Sequence, residues 1–289
     1  MSKYFYNEDY FKTIDSANKA YWLGFLYADG CITSVYKNDE LRRMNLEISL
    51  CAEDRHHLEK FRDCIESNLT IRDKTIHSGN KEYYANRLAV YSTKMCKDLY
   101  KLGCTPRKTY TVTFPTYDIV PHEFMRDFVR GFFDGDGCIH TGMQQGKPHI
   151  ELVITGMPGM LRSIADFLIS EGVLRVFPKI YLDKRSKAAS LFMYGTDAIK
   201  DILDYLYKDA EMYLDRKYQK YLDFYKDYDD SAPRRGVYYH KENKAYVVTI
   251  RMGGKNIRIG QFKNVKDANK ARIQAEIEKL KHDMATLNQ

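Results

Sequence analysis

Apolar positions along the chain follow two periods. In NLEISL (45–50) and HIELVI (149–154) they alternate with polar ones, the mark of a strand with one buried face. In YWLGFLYADG (21–30) and FVRGFFDGDG (128–137) they run almost unbroken, as in a helix enclosed on all sides. Followed from end to end, the pattern predicts a helix from Ile14 to Ala28, strands at 31–36 and 44–51 and a helix at 53–67. A strand pair within 70–92 and a helix at 93–102 come next. The same order returns from His122 to Gly135, then at 138–142, 148–155, 157–171, 173–194 and 196–207. Two αββαββα units mean antiparallel sheets with helices on one face, an α+β fold.

The two units also share landmarks. YSTKMCKDLY (91–100) and YGTDAIKDIL (194–203) have Tyr-x-Thr-x-x-x-Lys-Asp in common, offset by 103 residues. Asp29 and Asp136 are offset by 107, and Arg107-Lys108 and Arg216-Lys217 by 109. A nearly constant offset predicts one duplicated unit, with a first half at 1–115 and a second at 116–228. A linker near 226–233, ending in Ser231-Ala232-Pro233, leads to a third piece at 234–283. That piece alternates in GVYYHK, AYVVTIRM and NIRIGQF, turns at Glu242-Asn243 and Gly253-Gly254, and closes with an amphipathic helix from Val265 to Lys281. A small three-stranded sheet with one helix follows.

Charge sharpens this division. Residues 233–289 hold 13 Lys and Arg against 5 Asp and Glu, a net of +8, so the rest of the chain sums to −1. A folded segment this basic points to a polyanion, with nucleic acid as the expected partner. The longest apolar run, Ala20 to Ala28, is far short of the ~20 residues a membrane helix needs. The opening MSKYFYNEDYFK lacks the apolar stretch of a signal peptide, so an intracellular protein with no membrane partner is expected. Six cysteines without a C-x-x-C pair predict reduced thiols rather than a zinc site.

The candidate chemistry lies where the two apolar runs end. Gly24 and Ala28 are four residues apart, as are Gly131 and Gly135, so each pair lies on one helix face. Glycine inside a helix costs roughly 1 kcal/mol against alanine, and close helix-helix approach would offset it. The terminal Asp-Gly predicts a glycine in a left-handed cap. The aspartate is misplaced, because a helix C-terminus already carries about half a negative charge. If the helices pack face to face, Asp29 and Asp136 also repel each other. Two acids held against their preference predict cations between them, and oxygen ligands suit Mg²⁺. Paired divalent ions serve phosphodiester cleavage. A calcium loop starting at Asp134 fails, since Ile139 stands where its turn needs glycine.

These residues resemble the LAGLIDADG homing endonucleases. WLGFLYADG (22–30) and VRGFFDGDG (129–137) both keep glycine at the third place and Asp-Gly at the end. The resemblance spans about residues 10–225. It implies a monomer whose two motif helices form the domain interface, with Asp29 and Asp136 binding Mg²⁺ for double-strand DNA cleavage. It implies sheets lying over the DNA major groove, with Arg42, Arg43, Lys179 and Lys184 as candidate contacts. A lysine beyond the third helix, near the scissile phosphates, maps to Lys108 and Lys217. Polar residues at the end of the second strand correspond to Ser49 or Cys51 and to Thr155, while Glu47 and Glu151 read as strand surface. Tyr27 and Asp134 occupy the tolerant sixth letter, so no catalytic part is assigned to Asp134. The same scaffold serves intron maturases and DNA-binding regulators, so a non-cleaving protein, with intron RNA as partner in the first case, is the alternative.

The last piece resembles the APETALA/ethylene-response-factor DNA-binding domain. Arg235-Gly236-Val237, Ile250-Arg251 and Ile259-Gly260-x-Phe262 match, followed by a helix with Ala268, Ala271 and Ala275. The resemblance implies that its sheet enters the major groove with Arg235, Arg251 and Arg258 at contact positions. Tyr238, His240 and Tyr246 depart from the family's usual Arg and Trp, so its sequence preference does not carry over.

Overall fold

Helix α1 (Ala17–Asp29) starts at Ser16, whose hydroxyl accepts the Lys19 amide at 3.4 Å, which satisfies one of the orphan N–H groups of the first turn. From Ala20 to Tyr27 every residue is buried. The reason is its position: α4 (His122–Asp136) lies against one side and the first half's own sheet against the other. The computed structural model describes residues 4–287 apart from 39, 80, 107, 109, 110, 145, 146, 185, 186, 227 and 230. Arg107, one of the repeat landmarks, lies outside the described residues.

The first half continues through β1 (Gly30–Lys37), β2 (Glu40–Cys51), α2 (Arg55–Cys64), β3 (Arg72–Ser78), β4 (Lys81–Val90) and α3 (Thr93–Lys101). The second runs from α4 through β5 (Gly137–Gln144), β6 (Lys147–Gly156), α5 (Pro158–Ser170), β7 (Lys179–Leu182), β8 (Ala189–Tyr194) and α6 (Thr196–Tyr207). Each half builds a four-stranded antiparallel sheet of the same order, β1-β2-β4-β3 and β5-β6-β8-β7. In β2 the alternation turns Met44, Leu46, Ile48 and Leu50 into the core, each contributing on the order of 1.5–3 kcal/mol by burial. Their neighbours Asn45, Glu47, Ser49 and Cys51 therefore lie on the outer face. The fold is α+β, with helices on one side of each sheet.

Two features differ from the sequence pattern. Residues 215–226, to which the sequence pattern assigned no element, form a helix, α7 (Asp215–Lys226). Its inner stripe is aromatic rather than aliphatic: Tyr221 is buried, and Tyr207, Tyr218 and Tyr225 each lie within 6 Å of it, ring centre to ring centre. Gly30 and Gly137 are not left-handed caps. Both are extended, with φ of −72° and −93°, and each chain passes directly from helix into strand. Glycine is required there for space: an added Cβ would sit 2.6 Å from the Leu26 carbonyl oxygen at Gly30 and 2.4 Å from that of Phe133 at Gly137.

The third piece is a sheet of order β11-β10-β9, from β9 (Val237–His240), β10 (Ala245–Met252) and β11 (Lys255–Phe262), covered by α8 (Val265–Leu287). Gly253 and Gly254, at φ +54° and +79°, make the two-residue turn between β10 and β11, a conformation that disfavours side chains. Asn264 starts α8 by accepting the Asp267 amide at 2.9 Å, and Asp267 accepts from Asn264 at 2.8 Å. Among the described residues no helix is long and apolar enough to cross a membrane.

Candidate active site

The seam between α1 and α4 is built backbone against backbone. A Cβ added to Gly24 would lie 2.0 Å from the Phe128 carbonyl oxygen, and one added to Gly131 would lie 1.9 Å from that of Tyr21. The contacts are reciprocal, since 24 and 131, and 21 and 128, are both 107 apart. Further along, a Cβ on Gly135 would meet Ala28 Cβ at 2.2 Å and Asp29 Oδ2 at 3.5 Å. The four small residues thus set the helix spacing, and they bring the two motif aspartates to one end of it.

Asp29 is open to solvent yet ringed by protein, and Asp136 is half-buried. Burial pushes the Asp136 carboxyl up to about 6; the charge of Asp29 adds to this, while Lys108 and Lys217 pull it down. Asp29 is raised too, chiefly by the same enclosure, against the opposing pull of Lys217, Lys108 and Arg216. Each carboxylate is held in its charged form at a cost, and an added cation would relieve both.

Lys108 and Lys217 sit deeper than the expected place beside a scissile phosphate. Both are buried. Lys108 Nζ donates to the carbonyls of Ala28 and Gly30 at 3.2 and 2.5 Å, and Lys217 Nζ to those of Phe133 and Asp134 at 2.6 and 2.7 Å. They neutralise the negative ends of the two motif helices, the very ends that make the aspartates unfavourable. Burial lowers the Lys217 ammonium to about 8. Beside them, Arg216 of the second half donates to buried Asp54 of the first at 2.9 and 3.2 Å.

A second set of polar groups lies inside the seam, and the sequence reading gave it no part. Asp134 is fully buried and accepts from the Tyr21 hydroxyl at 2.8 Å, the Tyr207 hydroxyl at 2.5 Å and the Leu214 amide at 2.8 Å. Tyr21 also meets His57 Nε2 at 3.1 Å. Burial drives His57 well below its usual range, so it is neutral. Buried Arg130 donates to Met212 O, Leu206 O and Asp127 at 2.8, 3.0 and 2.6 Å. The available signal was the charge itself, Arg130 and Asp134 standing within an otherwise apolar run. At the mirrored position the contact is apolar: Tyr27 meets Phe128 edge to face at 5.1 Å, and its hydroxyl donates to Leu102 O at 2.5 Å. Asp134→Leu is expected to lower stability by about 2–3 kcal/mol, because the enclosed Tyr21 and Tyr207 hydroxyls and the Leu214 amide then lose their acceptor; urea unfolding measures this.

Strand register settles which surface residues share a face. Gly30 pairs with Ile48 and Gly137 with Ile154, so Ser49 and Thr155 are equivalent while Glu47 and Glu151 are not. Glu47 is held by Arg87 and approached by Lys74 at 3.8 Å. Arg43 is exposed on the outer face, over the Tyr91 ring at 5.6 Å, and Arg42 stands at a bulge beside Glu40 at 3.4 Å. Arg72, Lys74 and Arg87 join Arg43 on that face, three cations the sequence reading passed over. Lys179 begins β7 and Lys184 follows it, both exposed. In the third piece Tyr238, His240, Arg251 and Arg258 fall on the face away from α8, and exposed Arg235 precedes β9.

Among the described residues no three His, Cys, Asp or Glu side chains cluster as a metal site. The pair of carboxylates, Asp29 exposed and Asp136 half-buried, suits Mg²⁺, which takes one or two protein carboxylates and fills its remaining positions with water and phosphate oxygens. No family model matches the chain, and no curated protein matches it. Among solved structures it is similar to the LAGLIDADG meganuclease I-AabMI bound to uncleaved DNA, at 12% identity and TM-score 0.45 over 71% of this chain and 88% of that one. It is similar to the LAGLIDADG homing endonuclease I-GzeII in complex with its DNA target, at 14% identity and TM-score 0.47 over 72% and 88%. It is likewise similar to the meganuclease I-SmaMI bound to uncleavable DNA, at 14% identity and TM-score 0.47 over 71% and 88%.

Proposed function

We propose that the chain is a monomeric, metal-dependent endonuclease of the LAGLIDADG type that cuts both strands of a DNA duplex. The observation that carries this reading is the meeting of Asp29 and Asp136, one from each half, at the end of a glycine seam. Lys108 and Lys217 offset only part of the cost of two carboxylates there, and a divalent cation would offset the rest. Asp29 and Asp136 would hold Mg²⁺, which when bound supplies Lewis-acid activation of water and of the phosphate. Lys108 and Lys217 act from behind. By holding carbonyls 28, 30, 133 and 134 they fix the last turn of each helix, and their charge keeps the aspartates ionised.

The two sheets flank the seam. Their outer faces, with Arg43, Arg72, Lys74 and Arg87 on the first and Lys179 on the second, would track the duplex. The third piece would act as a second DNA-binding module of the APETALA type, through Arg235, Arg251 and Arg258.

The test is a cleavage assay on a randomised plasmid library, with and without Mg²⁺. Linear product is expected only with the metal. Binding with no cutting under any divalent ion would leave a DNA-binding protein and remove the enzyme. Binding itself is expected to weaken steeply with salt, as each phosphate contact adds about 0.9 to the slope of log Kobs against log salt.

A further inference from the structure

The chain's charge is distributed against the needs of its second half. Residues 116–228 carry 15 Lys and Arg against 17 Asp and Glu, whereas residues 1–115 carry 18 against 15. The outer faces repeat the contrast. The first sheet presents four cations there against Glu47, while the second presents Lys179 against Glu151 and the rings of Tyr181, Phe192 and Tyr194. A sheet of that kind is a poor holder of a phosphate backbone by itself.

The basic third piece is fastened to this poorer half. Arg234, the first residue of the third piece, grips Asp201 with both terminal nitrogens, at 2.6 and 2.8 Å. Arg175 donates to Asp201 and, at 2.8 Å, to Glu276 of α8, which also pairs with Arg272 at 2.8 Å. Burial pushes the Asp201 carboxyl up, and its hydrogen bonds from Arg234 and Arg175 outweigh that and leave it lowered. The clamp spends its charges on itself. Beside it opens a cleft of about 490 Å³. Arg235, Arg251 and Lys279 line the cleft and have no carboxylate partner among the described residues. Glu276 lines it too but is taken by the clamp, and Asp197 accepts from the Tyr228 hydroxyl at 2.7 Å and the Arg235 amide at 3.3 Å. The same cleft is lined by Tyr194, which belongs to the outer face of the second sheet. The cleft thus continues the surface proposed above to face the duplex.

We infer that this cleft binds the phosphodiester backbone of the same duplex, so that contact runs from the second sheet into the third piece and extends past one end of the site only. This rests on reading the chain as a duplex-binding protein. Arg235 and Arg251 then hold backbone, and the bound length is asymmetric about the cut.

The test uses the full chain and a mixed-sequence 50-bp duplex, with affinity followed by fluorescence anisotropy across salt. The R235A/R251A/K279A variant is expected to flatten the log-log salt slope by about 2–3, at roughly 0.9 per lost phosphate contact. Lys270→Ala, exposed and outside the cleft, should leave the slope as it was. If alanines unfold the chain by circular dichroism, glutamines at the same three positions replace them. On a cleaved site recovered from the library, hydroxyl-radical protection should reach about one helical turn, ~10 bp, farther on one flank. The triple variant should lose that flank alone. An unchanged slope, or equal protection on both flanks in the unmodified chain, overturns the inference. A chain whose duplex affinity ignores salt overturns the underlying reading instead.

Discussion

Asp136→Asn is expected to abolish cleavage and, at the same time, to make the protein more stable. The loss follows from removing one of two carboxylates that would hold the metal. Several kcal/mol of transition-state stabilisation depend on it, so a fall of about a thousandfold or more in rate is expected. The gain follows from the position of the carboxyl group. Its pKa is raised to about 6 in the folded chain, against an ordinary value near 4 when unfolded. The folded state therefore takes up the proton first as pH falls. Asp136 costs stability above about pH 6, and this cost disappears between pH 6 and 4. Allowing for screening at a half-open site, the neutral amide should recover on the order of 1–2 kcal/mol at pH 7.5. Thermal melts of both proteins at pH 7.5 and pH 5 check it. The variant should melt higher at pH 7.5, and the gap should narrow at pH 5. A variant that melts lower at pH 7.5 would show that Asp136 is a structural carboxylate, and the metal reading would lose its main support.

Gly131→Ala is expected to prevent the two halves from closing on each other. Its methyl would lie 1.9 Å from the Tyr21 carbonyl oxygen and 2.9 Å from the Phe25 nitrogen, both backbone atoms that no rotamer change can move. Overpacking in a core usually costs 1–3 kcal/mol because side chains yield. Here two helices must separate, so a loss above about 4 kcal/mol is expected, in the exceptional range for a single methyl group. Gly24→Ala, facing the Phe128 carbonyl at 2.0 Å, should behave alike. Gly159→Ala provides the contrast. It lies in α5 with nothing within 4 Å of an added Cβ, so a gain of up to ~1 kcal/mol is expected. Soluble yield and urea midpoints of the three variants decide it. A Gly131→Ala protein as stable as the unmodified chain would mean the seam is looser than its contacts imply.

Much of this arrangement was legible because it is periodic. Alternation marked β2 and β6, small residues at four-residue spacing marked the seam, and the repeated Asp-Gly marked the site. What stayed hidden depends on contacts between distant residues. Helix α7 reads as polar because its inner stripe is tyrosine. The cap on each motif helix is a lysine some 80 residues away, at hydrogen-bond separations of 80 for Lys108 to Ala28 and 83 for Lys217 to Asp134. No local pattern announces it, so a lysine near the site reads first as a catalytic group. Asp134 was misleading for the opposite reason. Its motif position is tolerant, so its charge was discounted, yet three hydrogen bonds converge on it.

The exchange of Asp134 for Tyr27, and of Tyr21 for Phe128, has an assembly consequence. Two copies of the second half, joined in the same way, would set each Asp134 against a phenylalanine, so each enclosed carboxylate would keep Tyr207 and Leu214 of its own half but lose the Tyr21 hydroxyl across the seam. Each hydrogen bond lost from an enclosed charge costs about 1.5–3 kcal/mol. Two copies of the first half would lack any acid for Tyr21 to meet. The halves keep the outline of twins but have become a fitted pair, and a homodimer made from either one alone would give up the bond from Tyr21 to Asp134 that joins them.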